Sequence, residues 1–133
     1  MFKTILFPID MSSEAQQAAS LVAELVTKHQ SQLVLVSVVE NKENPDHPEQ
    51  TSEAAVAELL VQAKDMFAQQ SIESQTIERE GQPAFVICDV ADEMQADLIV
   101  MGCRGIGLIE ESATESVTNR VINLAPCPVL VVP

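Results

Sequence analysis

The chain has 133 residues, enough for one domain and too few for two. Hydrophobic residues make up 47% and charged residues 20%, the balance of a folded globular protein, so neither disorder nor a fibrous repeat is indicated. Seven Lys and Arg against twenty Asp and Glu give a net charge of −13, a surface that repels phosphate backbones and anionic membranes; nucleic acid and membrane are excluded as expected partners.

The opening Met1-Phe2-Lys3-Thr4-Ile5-Leu6-Phe7-Pro8 carries one basic residue and an apolar stretch too short for a signal-peptide core, with Asp10 directly after it. The expectation is a chain that begins at Met1 and works in the cytoplasm. No apolar run approaches the ~20 residues of a membrane helix. Thr4 to Ile9 reads as a first strand. Ala18, Leu21, Val22, Leu25 and Val26 then recur at helical spacing, opened by Ser12-Ser13 with Gln16 placed for a capping box.

Gln32 to Val39 (QLVLVSVV) is a second strand, its near-continuous apolar run suited to burial on both faces. Asn41 to Thr51 (NKENPDHPEQT) is an acidic, proline-bearing loop. Val56, Leu59, Leu60, Ala63 and Phe67 form the second helical stripe, and Ile72 to Glu78 a third, markedly polar strand. Ala84, Ile87, Cys88, Ala91 and Met94 form the third stripe, with Pro83 in the first turn, where a missing N–H costs nothing. Asp97 to Met101 (DLIVM) is a fourth strand. Val117, Val121, Ile122 and Ala125 mark a last helix, stopped by Pro126 and Pro128, and Pro128 to Val132 is a fifth strand.

Strands alternating with helices imply right-handed crossovers, hence an α/β fold: a single doubly wound parallel five-stranded sheet with helices on both faces. The polar third strand belongs at an edge and the apolar second and fourth inside. The order 3-2-1-4-5 satisfies both, with its switch point between strands one and four. Ligands of such sheets bind beyond the carboxyl ends of the strands at the switch point. Here that crevice is bordered by Pro8-Ile9-Asp10 and by Met101-Gly102-Cys103-Arg104-Gly105. The Asp10 carboxylate suits a base or ribose, and equally suits the start of the first helix. Gly102 and Gly105 suit a phosphate cradle, and equally a tight turn out of a strand. Ser116 at the start of the fourth helix adds free N–H groups and a favourable dipole for an anion.

Three separated segments, KTILFPID-x-S, GQPAFVICDVADEMQADLIVMGCRG and RVINLAPCPVLVVP, resemble the universal stress protein family in the correct order and across the whole chain. The resemblance implies a universal stress protein domain over residues 1–133 with the fold just derived, usually dimeric through the last strand. One branch of that family binds ATP through Gly-x-x-Gly, a nine-residue spacer, then Gly followed by Ser or Thr; another branch lacks the motif and binds no ATP. By resemblance, Gly102 and Gly105 take the first two motif positions and Ser116 the last, while Glu115 replaces the third glycine. Pro8, Ile9, Asp10, Val39 and Met101 stand where the family contacts adenine and ribose, and Val117 follows Ser116 as in the binding branch. The implied cofactor is an adenine nucleotide, AMP, ADP or ATP, with Mg or Mn as a possible companion ion.

Glu115 brings a Cβ, a carboxylate and a φ restriction into the phosphate loop, and Glu110 and Glu111 lie in the same stretch. A like charge a few Å from a phosphate costs on the order of 1 to 4 kcal/mol at surface-like dielectric. Arg104 offsets part of this, a bridging divalent cation would reverse its sign, and the glutamates could also simply face water. No catalytic set is legible. His29 and His47 are remote from the crevice, and Cys103 has no base beside it, although Arg104 next to it would lower its pKa. Hydrolysis, if any, is slow and incidental.

Cys88, Cys103 and Cys127 fit neither a disulfide framework nor a zinc site and read as small buried thiols of a reducing compartment. Two functions stand: a dimeric stress-response module that binds an adenine nucleotide, and an interaction protein that has lost the nucleotide and acts through its dimer and protein partners. The wholly apolar Pro128-Val129-Leu130-Val131-Val132 at a sheet edge predicts the homodimer contact.

Overall fold

A computed structural model describes residues 2–10, 13–39, 53–102 and 117–133. The strands are β1 (Thr4–Pro8), β2 (Gln32–Val39), β3 (Ser74–Glu80), β4 (Leu98–Gly102) and β5 (Val129–Val132). The helices are α1 (Ser13–His29), α2 (Glu53–Ala68), α3 (Pro83–Glu93) and α4 (Val117–Leu124). All strand pairs are parallel, and the order is β3-β2-β1-β4-β5, as the sequence pattern predicts.

Strand alternation divides the apolar residues between two layers. Ile5, Phe7, Leu33, Leu35, Leu98 and Val100 point to one face, where α1 and α2 cover them; Leu6, Val34, Val36, Ile99 and Met101 point to the other, under α3 and α4. Phe7 meets Phe67 of α2 edge-to-face at 6.3 Å between centroids, both rings fully buried, which seats α2 on the sheet's centre.

Several boundaries shift for local reasons. β3 starts at Ser74, because Ile72 closes the end of α2: its N–H donates to the Phe67 carbonyl at 3.0 Å, with Ser71 at φ 63°. The same six-to-one closure ends α1 at Gln30 (φ 53°, Ser31 N–H to the Val26 carbonyl) and follows α3 at Gln95 (φ 53°, Ala96 N–H to the Ala91 carbonyl). Asp97 precedes β4, its carboxylate accepting from the N–H groups of Lys3 at 3.0 Å and Thr4 at 2.9 Å, which sets β1 against β4. Pro128 lies just before β5, and its carbonyl accepts from the Ile99 N–H at 3.0 Å. The cap read at Ser12 and the loop 41–51 lie outside the described residues.

Two stripes differ from their sequence reading. Val90 of α3 is fully buried while Cys88 and Met94 are half-buried. In α4 the buried side chains are Thr118 and Val121; Val117 and Ile122 are exposed. No helix among the described residues is long and apolar enough to cross a membrane.

Candidate functional site

The crevice begins where β1 and β4 part. β1 pairs with β2 over five positions up to Pro8↔Val36, and β4 with β5 over four up to Gly102↔Val132. Between β1 and β4 the ladder holds only Ile5↔Leu98 and Leu6↔Ile99. Past those positions the backbone of each strand turns to its outer neighbour, which is how a switch point opens a cleft at the carboxyl ends.

The chain leaving β1 is held on the β2 side. The Ile9 N–H donates to the Val36 carbonyl at 2.9 Å, and the buried Ser37 hydroxyl donates to the Ile9 carbonyl, also at 2.9 Å. Asp10 follows that tethered residue and is exposed. Across the cleft, the buried Thr118 hydroxyl of α4 donates to the Gly102 carbonyl at 3.2 Å, tying the amino end of α4 to the carboxyl end of β4. At the outer wall, the Gly81 N–H donates to the Val39 carbonyl at 2.9 Å.

Of the residues read as site residues, the described ones fall into three groups. Ile9, Val39 and Met101 are 8%, 8% and 6% exposed, packed into the core at or just past the carboxyl ends of their strands. Ile9 and Val39 belong to the layer of α1 and α2, whereas Met101 belongs to that of α3 and α4. Pro8 and Gly102 end their strands half-buried. Asp10 and Val117 are the two that expose side chains, Val117 at 40%. Arg104, Gly105, Glu115 and Ser116 lie outside the described residues, as do Cys103, Glu110, Glu111 and His47. His29 is at the end of α1, beside Phe2 at 5.2 Å between rings, on the amino side of the sheet and away from the cleft.

Ser37 and Thr118 are the positioning residues that the sequence reading passed over. Each left a trace: Ser37 is the one polar residue inside the run LVLVSVV, and Thr118 sits three positions before Val121, on its face of α4. Gly81 likewise has φ +148°, and a Cβ there would stand 2.8 Å from a methyl of Val86. Among the described residues no group of three or more His, Cys, Asp or Glu is close enough to hold a metal ion. A groove at the other end of the sheet, lined by Gln30, Gln32, Gln70, Ser71 and Gln75, shares no residue with the cleft.

A model of the universal stress protein family matches residues 1–133. Universal stress protein Sll1654 of Synechocystis is 63% identical over 136 residues, spanning 100% of this chain and 87% of that protein. The solved structure of universal stress protein UspA from Lactobacillus plantarum has a TM-score of 0.78 and 28% identity, over 99% of this chain and 98% of that one. A universal stress protein solved in complex with cAMP has a TM-score of 0.79 over 98% of this chain and 96% of its own; at 22% identity that likeness is one of fold.

Proposed function

The chain belongs to the universal stress protein family, and from that premise we propose that it is a dimeric stress-response module, a single domain over residues 1–133, that binds an adenine nucleotide in the cleft between β1 and β4. The parting of those two strands after Leu6 and Ile99 is the observation that carries this reading, because it opens a site bordered by the residues the sequence singles out. Ile9 and Val39 supply an apolar floor for a base, and the exposed Asp10 supplies an acceptor for a ribose hydroxyl. Thr118 ties the amino end of α4 to the carboxyl end of β4, where the helix dipole favours a phosphate. A universal stress protein of this fold was solved in complex with cAMP, so the fold holds an adenine nucleotide in at least that protein.

The phosphate side is assigned to Gly102, Arg104, Gly105, Glu115, Ser116 and Val117. Glu115 in place of glycine favours the nucleotide with fewer phosphates, unless Mg or Mn bridges carboxylate and phosphate. The working compartment is the cytoplasm. Dimerisation is assigned to residues 128–132, because none of the four residues of β5, all apolar, is buried.

The reading is tested by denaturing freshly purified protein and chromatographing what is released. An adenine nucleotide at a substantial fraction of one per chain is expected. Protein that carries none, and takes none up at millimolar concentration, would contradict it and favour the rival function, an interaction protein acting through its dimer.

A further inference from the structure

The groove at the amino ends of β2 and β3 lies at the opposite end of the sheet from the proposed nucleotide cleft. The segments that leave α1 and α2 form part of its wall, and the described residues lining it include Gln30, Gln32, Gln70, Ser71, Ser74 and Gln75. Its volume of about 790 Å³ is within the size range of small-molecule sites. We propose that this groove binds an uncharged polyhydroxyl compound, a small sugar or polyol, through its carboxamides and hydroxyls.

Charge selects this class of ligand. Charged residues make up 20% of the chain, yet Glu73 is the only one among the described residues lining the groove. Lys28 and Glu24, of opposite sign, line an adjoining groove that shares Thr27 and Gln70 with it. With no lysine or arginine in its wall, and with the negative ends of the α1 and α2 dipoles beside it, the groove disfavours phosphates and carboxylates. A cation would find one carboxylate, and that one is exposed, where an ion pair contributes little. Hydrogen bonding without charge is what the wall offers. Gln30, Gln32, Gln70 and Gln75 are all exposed, and each carboxamide both donates and accepts, as neighbouring hydroxyls of a sugar require. Val26, Leu33 and Ile72, also in the lining, supply apolar contact for the C–H face of a ring.

The backbone that carries these side chains is fixed before any ligand arrives. Ser31 N–H donates to the Val26 carbonyl at 3.1 Å, Gln32 N–H to the Lys3 carbonyl at 2.7 Å, Ser71 N–H to the Ala68 carbonyl at 2.9 Å and Ile72 N–H to the Phe67 carbonyl at 3.0 Å. Binding therefore orders side chains and not the chain itself. Ser74 is an independent observation. Among the described residues its hydroxyl is the one buried side-chain oxygen or nitrogen without a hydrogen-bond partner, and Ser74 belongs to the groove's lining. Such a group calls for a partner from outside the chain, and a ligand hydroxyl both donates and accepts.

The test is an NMR titration of the full, isotope-labelled chain with trehalose as the probe, run beside spermidine and inorganic phosphate. Trehalose is expected to produce saturating shifts at millimolar concentration, confined to the backbone and side-chain amides of residues 30–32 and 70–75. Gln32→Ala and Gln75→Ala, both on exposed side chains, should each weaken that binding about threefold to tenfold, the loss of one or two hydrogen bonds. Shifts that grow linearly and uniformly over the whole chain would overturn the proposal, because they report a change of solvent and not a site. Saturating shifts outside the groove would overturn it too. So would saturation of the same residues by spermidine or phosphate in place of trehalose, which would make the groove an ion site.

Discussion

At the scale of one residue, the proposed binding role of Asp10 can be measured separately from its part in the fold. It is exposed, just past the tethered Ile9, so its replacement leaves the core untouched. Asp10→Ala should weaken nucleotide binding more than tenfold (about 1.4 kcal/mol or more) while the apo protein's thermal midpoint barely moves. Titration calorimetry with a parallel melt checks both; a large stability loss with unchanged affinity would assign Asp10 to the start of α1. Gly81 is the converse case. Its φ of +148°, and a Val86 methyl 2.8 Å from where a Cβ would stand, make Gly81→Ala strained in backbone and side chain alike. A loss of about 1–3 kcal/mol in unfolding free energy is expected in urea titration. The place of Asp10, just after a strand at the switch point, was legible from the order of elements. Gly81 was not, because a glycine between a strand and a helix reads as an ordinary turn until its dihedral is known.

Elements were legible where burial makes the pattern and less so where hydrogen bonds set the ends. β2 and β4 announce themselves as apolar runs, and the polar β3 identifies an edge. The start of β3 was misplaced by Ile72, whose apolar side chain looks strand-like but whose backbone closes α2. α4 misled for another reason: its large apolar residues are partly on the outside, and a buried threonine holds it to β4. At the β3 edge, Arg79 and Glu93 of α3 form a bidentate ion pair, with Nη2 2.8 Å from Oε1 in its second contact. The hydrogen bond to Arg79 holds the Glu93 carboxyl below its ordinary range. A depressed carboxyl stabilises the fold above its unfolded pKa, about 4.3, and loses that contribution as pH falls through the folded value. Glu93→Gln should therefore be slightly less stable than wild type at neutral pH, and the gap should close on acidification below about pH 4.3. Both partners are solvent-exposed, so molar salt should narrow the gap as well. Melts across pH and salt check the three statements together.

At the scale of the molecule, the open question in the sequence was what covers β5. The structure places it at an edge with none of its four apolar residues buried, beside the exposed Ile122 and Leu124 of α4. An edge without internal charge or proline invites pairing, and antiparallel pairing with a second copy would continue the sheet. Val131→Asp should accordingly dissociate or aggregate the protein; light scattering that shows wild-type monomer at micromolar concentration would count against the dimer. The topology was legible because strand polarity alone sorted edge from centre. The residues read as a phosphate side rest on resemblance alone, since glycines and glutamates between β4 and α4 have no periodicity to read.

Calorimetry on nucleotide-free protein with AMP, ADP and ATP, without and then with Mg, tests the proposed adenine-nucleotide site between β1 and β4. AMP or ADP is expected to bind at least as tightly as ATP without metal, and Glu115→Gly to strengthen ATP binding. Tight ATP binding without any divalent ion, together with no binding of AMP, would contradict the account.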